Sequence, residues 1–289
     1  MFQDRISAIK FDGIVRLIVI PIGMLLIVSV VVPGATDALM KLLPNHDPEQ
    51  LVSIHAMLAM IANVVVTLGL FMLVGRLKLV DLGFTRRAAV SKSFIGLFAG
   101  FGAMTVVALI VYLLGGVTID YNFNAQSALA LSIGVIFFIF QGTFEEIVYR
   151  GYLMPHFAKY RGIIFSIITS SMLFTLLHAL NPGIKPLPIL NLFLASVVFS
   201  LMYYAWGNMW LIGFAHGIWN FSQGLIYGSM VSGLTLTNSA FVSTPVAGKE
   251  LVSGGAFGFE GSIFTSLLGL IIITLLIFKI RSKSSQLAK

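Results

Sequence analysis

A chain of 289 residues could form one or two soluble domains, but 58% of it is apolar, 10% is charged and its mean hydropathy is +0.98; an average soluble domain carries roughly 25% charged residues. That composition excludes a soluble globular protein and leaves a polytopic membrane bundle, read as one domain over residues 1–289. With no cysteine, disulfides, thiolate metal sites and cysteine nucleophiles are excluded. The net charge of +7 does not imply nucleic acid, because the basic residues flank apolar segments and do not alternate with stacking aromatics.

Stretches near the ~20 residues of a spanning helix run in order over Ile14–Val32, Val52–Val74, Phe94–Gly115, Ala128–Glu146 and onward, Ile163–Leu180, Pro188–Ala205, Met209–Met230 and Ile263–Ile280. Backbone at membrane depth must satisfy its own hydrogen bonds, so these read as eight transmembrane helices of an all-α bundle. The first has the basic flank of a signal peptide. Arg16 interrupts its start, however, and Pro33-Gly34-Ala35 is a weak cleavage site, so it is expected to remain as an anchor. Val231–Gly261, rich in Gly, Ser and Thr, reads as a loop.

With the amino terminus inside, the inner connections hold fifteen Lys and Arg residues and the outer ones three, Lys41, Lys185 and Lys249. This asymmetry predicts that both termini are cytoplasmic and that the number of crossings is even. The expected setting is a cell membrane, in a bacterial-looking chain the plasma membrane, with the lipid bilayer as the constant partner and no nucleic acid.

Polar side chains within the later helices are few: Glu145, Glu146, Arg150, His178, Asn191, His216 and Asn220. A charge at the bilayer centre costs roughly 2.5–3.5 kcal/mol on insertion scales, so each is a functional candidate. Glu146 and Arg150 are four apart and share a helical face, as do His216 and Asn220. Glu145 points about 100° away from Glu146, toward a different partner. If the fourth helix continues to about Tyr160 and reverses at Arg161-Gly162, Glu145 and His178 both lie about 24 Å from the turn, at matched depth. Pro155 should disturb that helix by removing one backbone hydrogen bond.

Glu, two His and Asn, with no cysteine, suit hydrolysis by an activated water. A carboxylate in an apolar site can take the proton, imidazoles can orient the water or protonate a leaving amine, and amide and imidazole N–H groups can stabilise an oxyanion.

Glu145-Glu146-x-x-x-Arg150, Phe174-x-x-x-His178 and His216-x-x-x-Asn220 resemble, in order and spacing, the three motifs of the CAAX protease and bacteriocin-processing (CPBP, or Abi) intramembrane endopeptidases. Tyr203-Tyr204-Ala205-Trp206-Gly207-Asn208-Met209-Trp210 and the run Gly254–Gly261 are also similar to bacterial members, giving a protease-like core of about 128–280. The resemblance implies Glu145 as general base, His178 positioning or polarising the water, His216 and Asn220 stabilising the oxyanion, and Glu146 with Arg150 supporting the site. It leaves open a zinc alternative with Glu145, His178 and His216 as ligands. No His-Glu-x-x-His motif is present and Asn220 is a poor zinc ligand, so a site without cofactor is the expectation.

Plainer roles stand beside these. Glu146 and Arg150 could be a structural ion pair, and His216 with Asn220 could be interhelical hydrogen-bond glue, as Asn191 is expected to be. His46, His55 and His156 have no visible partner and are read as non-catalytic. Phe140, Phe144, Tyr149 and Phe174 are read as packing. The competing functions are an endopeptidase acting on a peptide or membrane protein, a non-enzymatic bacteriocin immunity or binding protein, and a proton-coupled transporter. The last should show repeated halves, and the first half has no counterpart of the Glu/His cluster.

Overall fold

The computed structural model describes residues 2–44 and 50–287; His46 lies outside them. Its helices are α1 (Phe2–Ala8), α2 (Val15–Met40), α3 (Ile54–Leu73), α4 (Ala89–Leu113), α5 (Ala125–Glu146), α6 (Met154–His178), α7 (Pro186–Trp206), α8 (Met209–Phe221) and α9 (Ile263–Leu287). Among the described residues six helical runs are long and apolar enough to cross a membrane, one of them the 54-residue run Ala125–His178 that joins α5 to α6. The chain is a multi-pass, mostly helical membrane protein.

The run through α5 and α6 turns back on itself. Arg161 (φ −140°, ψ 22°) and Gly162 (φ 80°, ψ 178°) leave the helical conformation, and only glycine takes that second geometry without strain. A straight helix would separate Glu145 from His178 by about 50 Å, yet their side chains lie 3.8 Å apart. The chain therefore reverses at Arg161-Gly162, where the sequence places the turn.

Prolines shape the helices upstream of themselves. Widened π-type turns occupy Val15–Val19, Ile27–Val31 and Ile147–Leu153, each ending two residues before Pro21, Pro33 or Pro155. A proline ring clashes with the carbonyl four residues earlier and leaves it without an N–H, and a wider turn relieves both problems. The disturbance expected at Pro155 is thus spread over the preceding seven residues. One consequence is that α2 runs unbroken through Pro33-Gly34-Ala35.

α8 is the centre of the bundle, gripped by α4 on one side and α5 on the other. Small residues make this possible. A Cβ at Gly100 would lie 3.1 Å from Ala215 Cα, one at Gly142 would lie 2.7 Å from Gly217 Cα, and one at Gly217 would lie 2.7 Å from Ile139 Cα. Close backbone approach of this kind is how membrane helices associate when lipid offers no hydrophobic driving force.

The start of α8 is set by the Asp81-Leu82-Gly83-Phe84 segment, for which the sequence offers no role. Gly83 (φ +101°) turns its carbonyl onto the Met209 N–H at 3.0 Å, and Trp210 Nε1 donates to the Thr85 carbonyl at 3.1 Å. Arg5, on α1, ties this segment down by donating to the carbonyls of Val80 (2.6 Å), Asp81 (2.9 Å) and Gly207.

The Val231–Gly261 connection is not the plain loop expected. It contributes β2 (Phe241–Pro245), which pairs antiparallel with β1 (Val117–Tyr121), Tyr121 opposite Phe241 and Val117 opposite Pro245. The alternation is too short, and the partner too distant in sequence, for the pairing to be read locally.

Because α8 has no room for side chains on its two glycine contacts, Gly217→Leu is expected to lower the thermal unfolding midpoint in detergent, at an overpacking cost of about 1–3 kcal/mol or more. An unchanged midpoint would mean that the contact relaxes freely.

Candidate active site

Every residue singled out for chemistry in the second half except Asn191 converges where α5, α6, α7 and α8 meet. Glu146 and Arg150, one turn apart, are both fully buried, with Arg150 Nη1 donating to Glu146 Oε1 at 2.8 Å. The guanidinium is then satisfied by α7: Nη2 donates to the Ser196 carbonyl (2.8 Å) and hydroxyl (2.6 Å), and Nε reaches Ser200 Oγ at 3.4 Å. Phe174, Phe199 and Tyr149 rings surround it at 5.2–5.8 Å. The aromatic residues read as packing thus include cation–π partners.

Glu146 Oε1 accepts a second hydrogen bond, from His216 Nδ1 at 2.8 Å. A carboxylate only accepts, so Nδ1 carries the proton and, in the neutral ring, Nε2 presents a lone pair. That Nε2 faces Glu145 Oε2 at 3.6 Å. His178 is arranged in the same way. Its Nδ1 donates to the Phe174 carbonyl at 2.8 Å, and its Nε2 faces Glu145 Oε1 at 3.8 Å. Phe174 stacks on His178 at 4.4 Å and Phe199 on His216 at 4.9 Å, fixing both ring planes.

Glu145 therefore sits between two imidazole acceptors at distances too long for direct hydrogen bonds and suited to one bridging water. Its Oε2 is buried with no hydrogen-bond partner. The carboxylate is partly accessible, at 16% exposure, from a cavity of about 440 Å³ that it lines with His178, His216 and Asn220.

Sequence reasoning missed three parts of this site. Gln141, one turn before Glu145, donates from Nε2 to Glu145 Oε1 at 2.6 Å and accepts from Asn220 Nδ2 at 2.8 Å. A lone glutamine at i−4 in an apolar helix was the available signal. Ser196 and Ser200, also four apart, carried the same periodic hint. Glu260, in the Val231–Gly261 connection, lines the cavity too, and accepts from Trp219 Nε1 (3.2 Å) and from Ser232 N and Oγ (2.8 Å each). It had no helical periodicity to betray it.

Of the residues set aside, Asn191 also lines the cavity, while His156 and His55 do not. Asn191 Nδ2 donates to the carbonyls of Glu260 (2.7 Å) and Ser262 (2.8 Å), binding α7 to the end of the Val231–Gly261 connection as structural glue. His156 Nδ1 pairs with the Tyr152 carbonyl at 2.6 Å, outside the cavity lining. His55, the second residue of α3, does not line the cavity either.

The zinc alternative can be weighed on the donors. Glu145, His178 and His216 are brought to one place, but among the described residues no group of three His, Cys, Asp or Glu side chains has an arrangement that could hold a metal ion. One carboxylate oxygen of Glu145 is also engaged by Gln141.

Fold and site together place a Glu/His cluster beside a cavity in a bundle of apolar helices. Residues 126–222, a third of the chain, match the family model described as "Rce1-like: Type II CAAX prenyl endopeptidase Rce1-like". That segment contains all seven residues of the three motifs. The family is one of proteases, which supports an enzyme. No curated protein and no solved structure matches the chain.

Breaking a buried ion pair from one side leaves the other charge uncompensated, at about 3–5 kcal/mol. Arg150→Met is therefore expected to lower the thermal unfolding midpoint sharply. Adding Glu146→Gln should recover much of the loss, because the amide oxygen still accepts from His216 while the orphan charge is gone.

Proposed function

We propose that the protein is an intramembrane endopeptidase that hydrolyses a peptide bond of a membrane-associated peptide or protein with a water activated by Glu145, without a metal. The supporting observation is the convergence of Glu145 with two imidazoles whose Nε2 atoms face it at 3.8 and 3.6 Å beside the cavity. His178, its Nδ1 proton engaged by a backbone carbonyl, offers a lone pair that orients the water. Glu145 accepts the water proton as oxygen attacks the carbonyl carbon, and the C=O electrons move to the oxyanion. When the tetrahedral intermediate collapses, the C–N bond breaks and Glu145 returns the proton to the leaving amine.

In this reading His216 stabilises the oxyanion as an imidazolium, donating from Nε2 while Glu146 holds Nδ1. The carboxylate behind the ring holds Nδ1 by a 2.8 Å hydrogen bond, the arrangement of a carboxylate–imidazole pair. Asn220 supplies its amide N–H as the second donor. Arg150 holds Glu146 in place through the 2.8 Å contact to Oε1. The wider proposal is a single domain of 1–289 with its protease core at about 128–280. It makes eight crossings, with α5 and α6 counted separately and α8 as the seventh, both termini in the cytoplasm of a bacterial plasma membrane.

Glu145→Gln keeps shape and removes the base. In purified detergent-solubilised protein it is expected to reduce cleavage of tagged peptides by roughly a hundredfold or more, with the unfolding midpoint retained. Cleavage at the wild-type rate would end the assignment. Chelator treatment followed by metal analysis should leave activity unchanged; activity lost with the metal and restored with zinc would replace the metal-free mechanism.

A further inference from the structure

Between the base and the oxyanion donor lies a residue that none of the three motifs contains. Gln141 donates to Glu145 Oε1 at 2.6 Å and accepts from Asn220 Nδ2 at 2.8 Å, so one side chain of α5 joins Glu145, on the same helix, to α8 across the cavity wall. The direction of these bonds is forced. An ionised Glu145 can only accept, so Gln141 must turn its NH2 toward it and its carbonyl away. That carbonyl in turn can only accept, so Asn220 must present its NH2. The Asn220 amide, 5% exposed, is left with its Oδ1 buried and without a hydrogen-bond partner.

Left alone, a primary amide in a partly wet pocket has two nearly equivalent flips, one offering N–H and one offering carbonyl to a substrate oxygen. An oxyanion tolerates only the first. We propose that Gln141 is a positioning residue for peptide hydrolysis: through one chain of directed hydrogen bonds it sets the amide orientation of Asn220 from the charge on Glu145, and it holds the Glu145 carboxylate in its place between the two imidazoles. Gln141 lines the cavity, but its amide is engaged by Glu145 at one end and Asn220 at the other. It acts through Glu145 and Asn220, so the inference rests on the hydrolytic reading of the site.

The cost of burying Asn220 Oδ1 unpaired supports this reading. A buried unsatisfied carbonyl would be relieved by flipping the amide, were the other end not held. Gln141 is what holds it.

Gln141→Met removes both hydrogen bonds while keeping length and apolar packing. The experiment is a double-mutant cycle in peptide cleavage with Gln141→Met, Asn220→Ala and the double variant, each also checked for its unfolding midpoint. Gln141→Leu takes the place of the methionine variant should that one not purify folded. The methionine variant is expected to lose tenfold or more in kcat with KM changed less than twofold. Asn220→Ala in its background should cost several-fold less than in the wild type, because the amide is already misdirected. Two outcomes overturn the inference: kcat within twofold of wild type in the single variant, or the two losses simply multiplying in the double variant. Glu145→Gln separates this from the broader proposal: activity that survives there ends the hydrolytic reading, whereas activity lost there with an additive cycle removes Gln141 alone.

Discussion

The carboxylate of Glu146 is the constraint on which the rest of the structure depends. It is fully buried, and an ionised carboxylate without compensation in an apolar interior is among the costliest groups a fold can carry. Its two partners come from different places: Arg150 from the next turn of its own helical run and His216 from α8. Arg150 brings the same problem of burial, which two serines of α7 and three aromatic rings resolve. One charge thus locks three helices in register. It also sets the protonated nitrogen of His216, and so turns the opposite nitrogen toward Glu145. A structural ion pair and the hydrogen bond that orients His216 share one carboxylate oxygen.

That lock could not close without the small residues around α8. Glycines let α4 and α5 approach its backbone closely enough for His216 and Asn220 to reach groups on α5. Below the site, Gly83 and Arg5 hold the start of α8 at its depth. At the other end, Glu260 and Asn191 fasten the Val231–Gly261 connection to α8 and α7, with the cavity lined from both sides. The partly accessible carboxylate therefore stands in a frame fixed at both ends, which is what pre-organised electrostatics requires.

Helical periodicity explains which site residues could be seen in advance. Glu146 with Arg150, and His216 with Asn220, are four apart, and that spacing alone places each pair on one face. The matched depth of Glu145 and His178 followed from rise per residue once the turn was put at Arg161-Gly162. Gln141 and Glu145 obey the same spacing, yet a neutral amide in a helix carries no insertion penalty large enough to mark it. Ser196 and Ser200 were hidden for the same reason. Pro155 announced a disturbance without its form, since the widening of the upstream turn depends on how neighbouring helices leave space.

From composition and period the chain by itself determined a membrane bundle, its apolar helices, the turn that folds α5 against α6, and the polar residues that gather beside the cavity. These follow from local physics: hydrocarbon length, 1.5 Å of rise, and the price of charge in lipid. Only the tertiary structure decided that Glu146 serves both Arg150 and His216, that Gln141 bridges to Asn220, and that β1 finds β2 across more than a hundred residues. Such choices depend on which faces of distant segments meet. No spacing along a single helix encodes that.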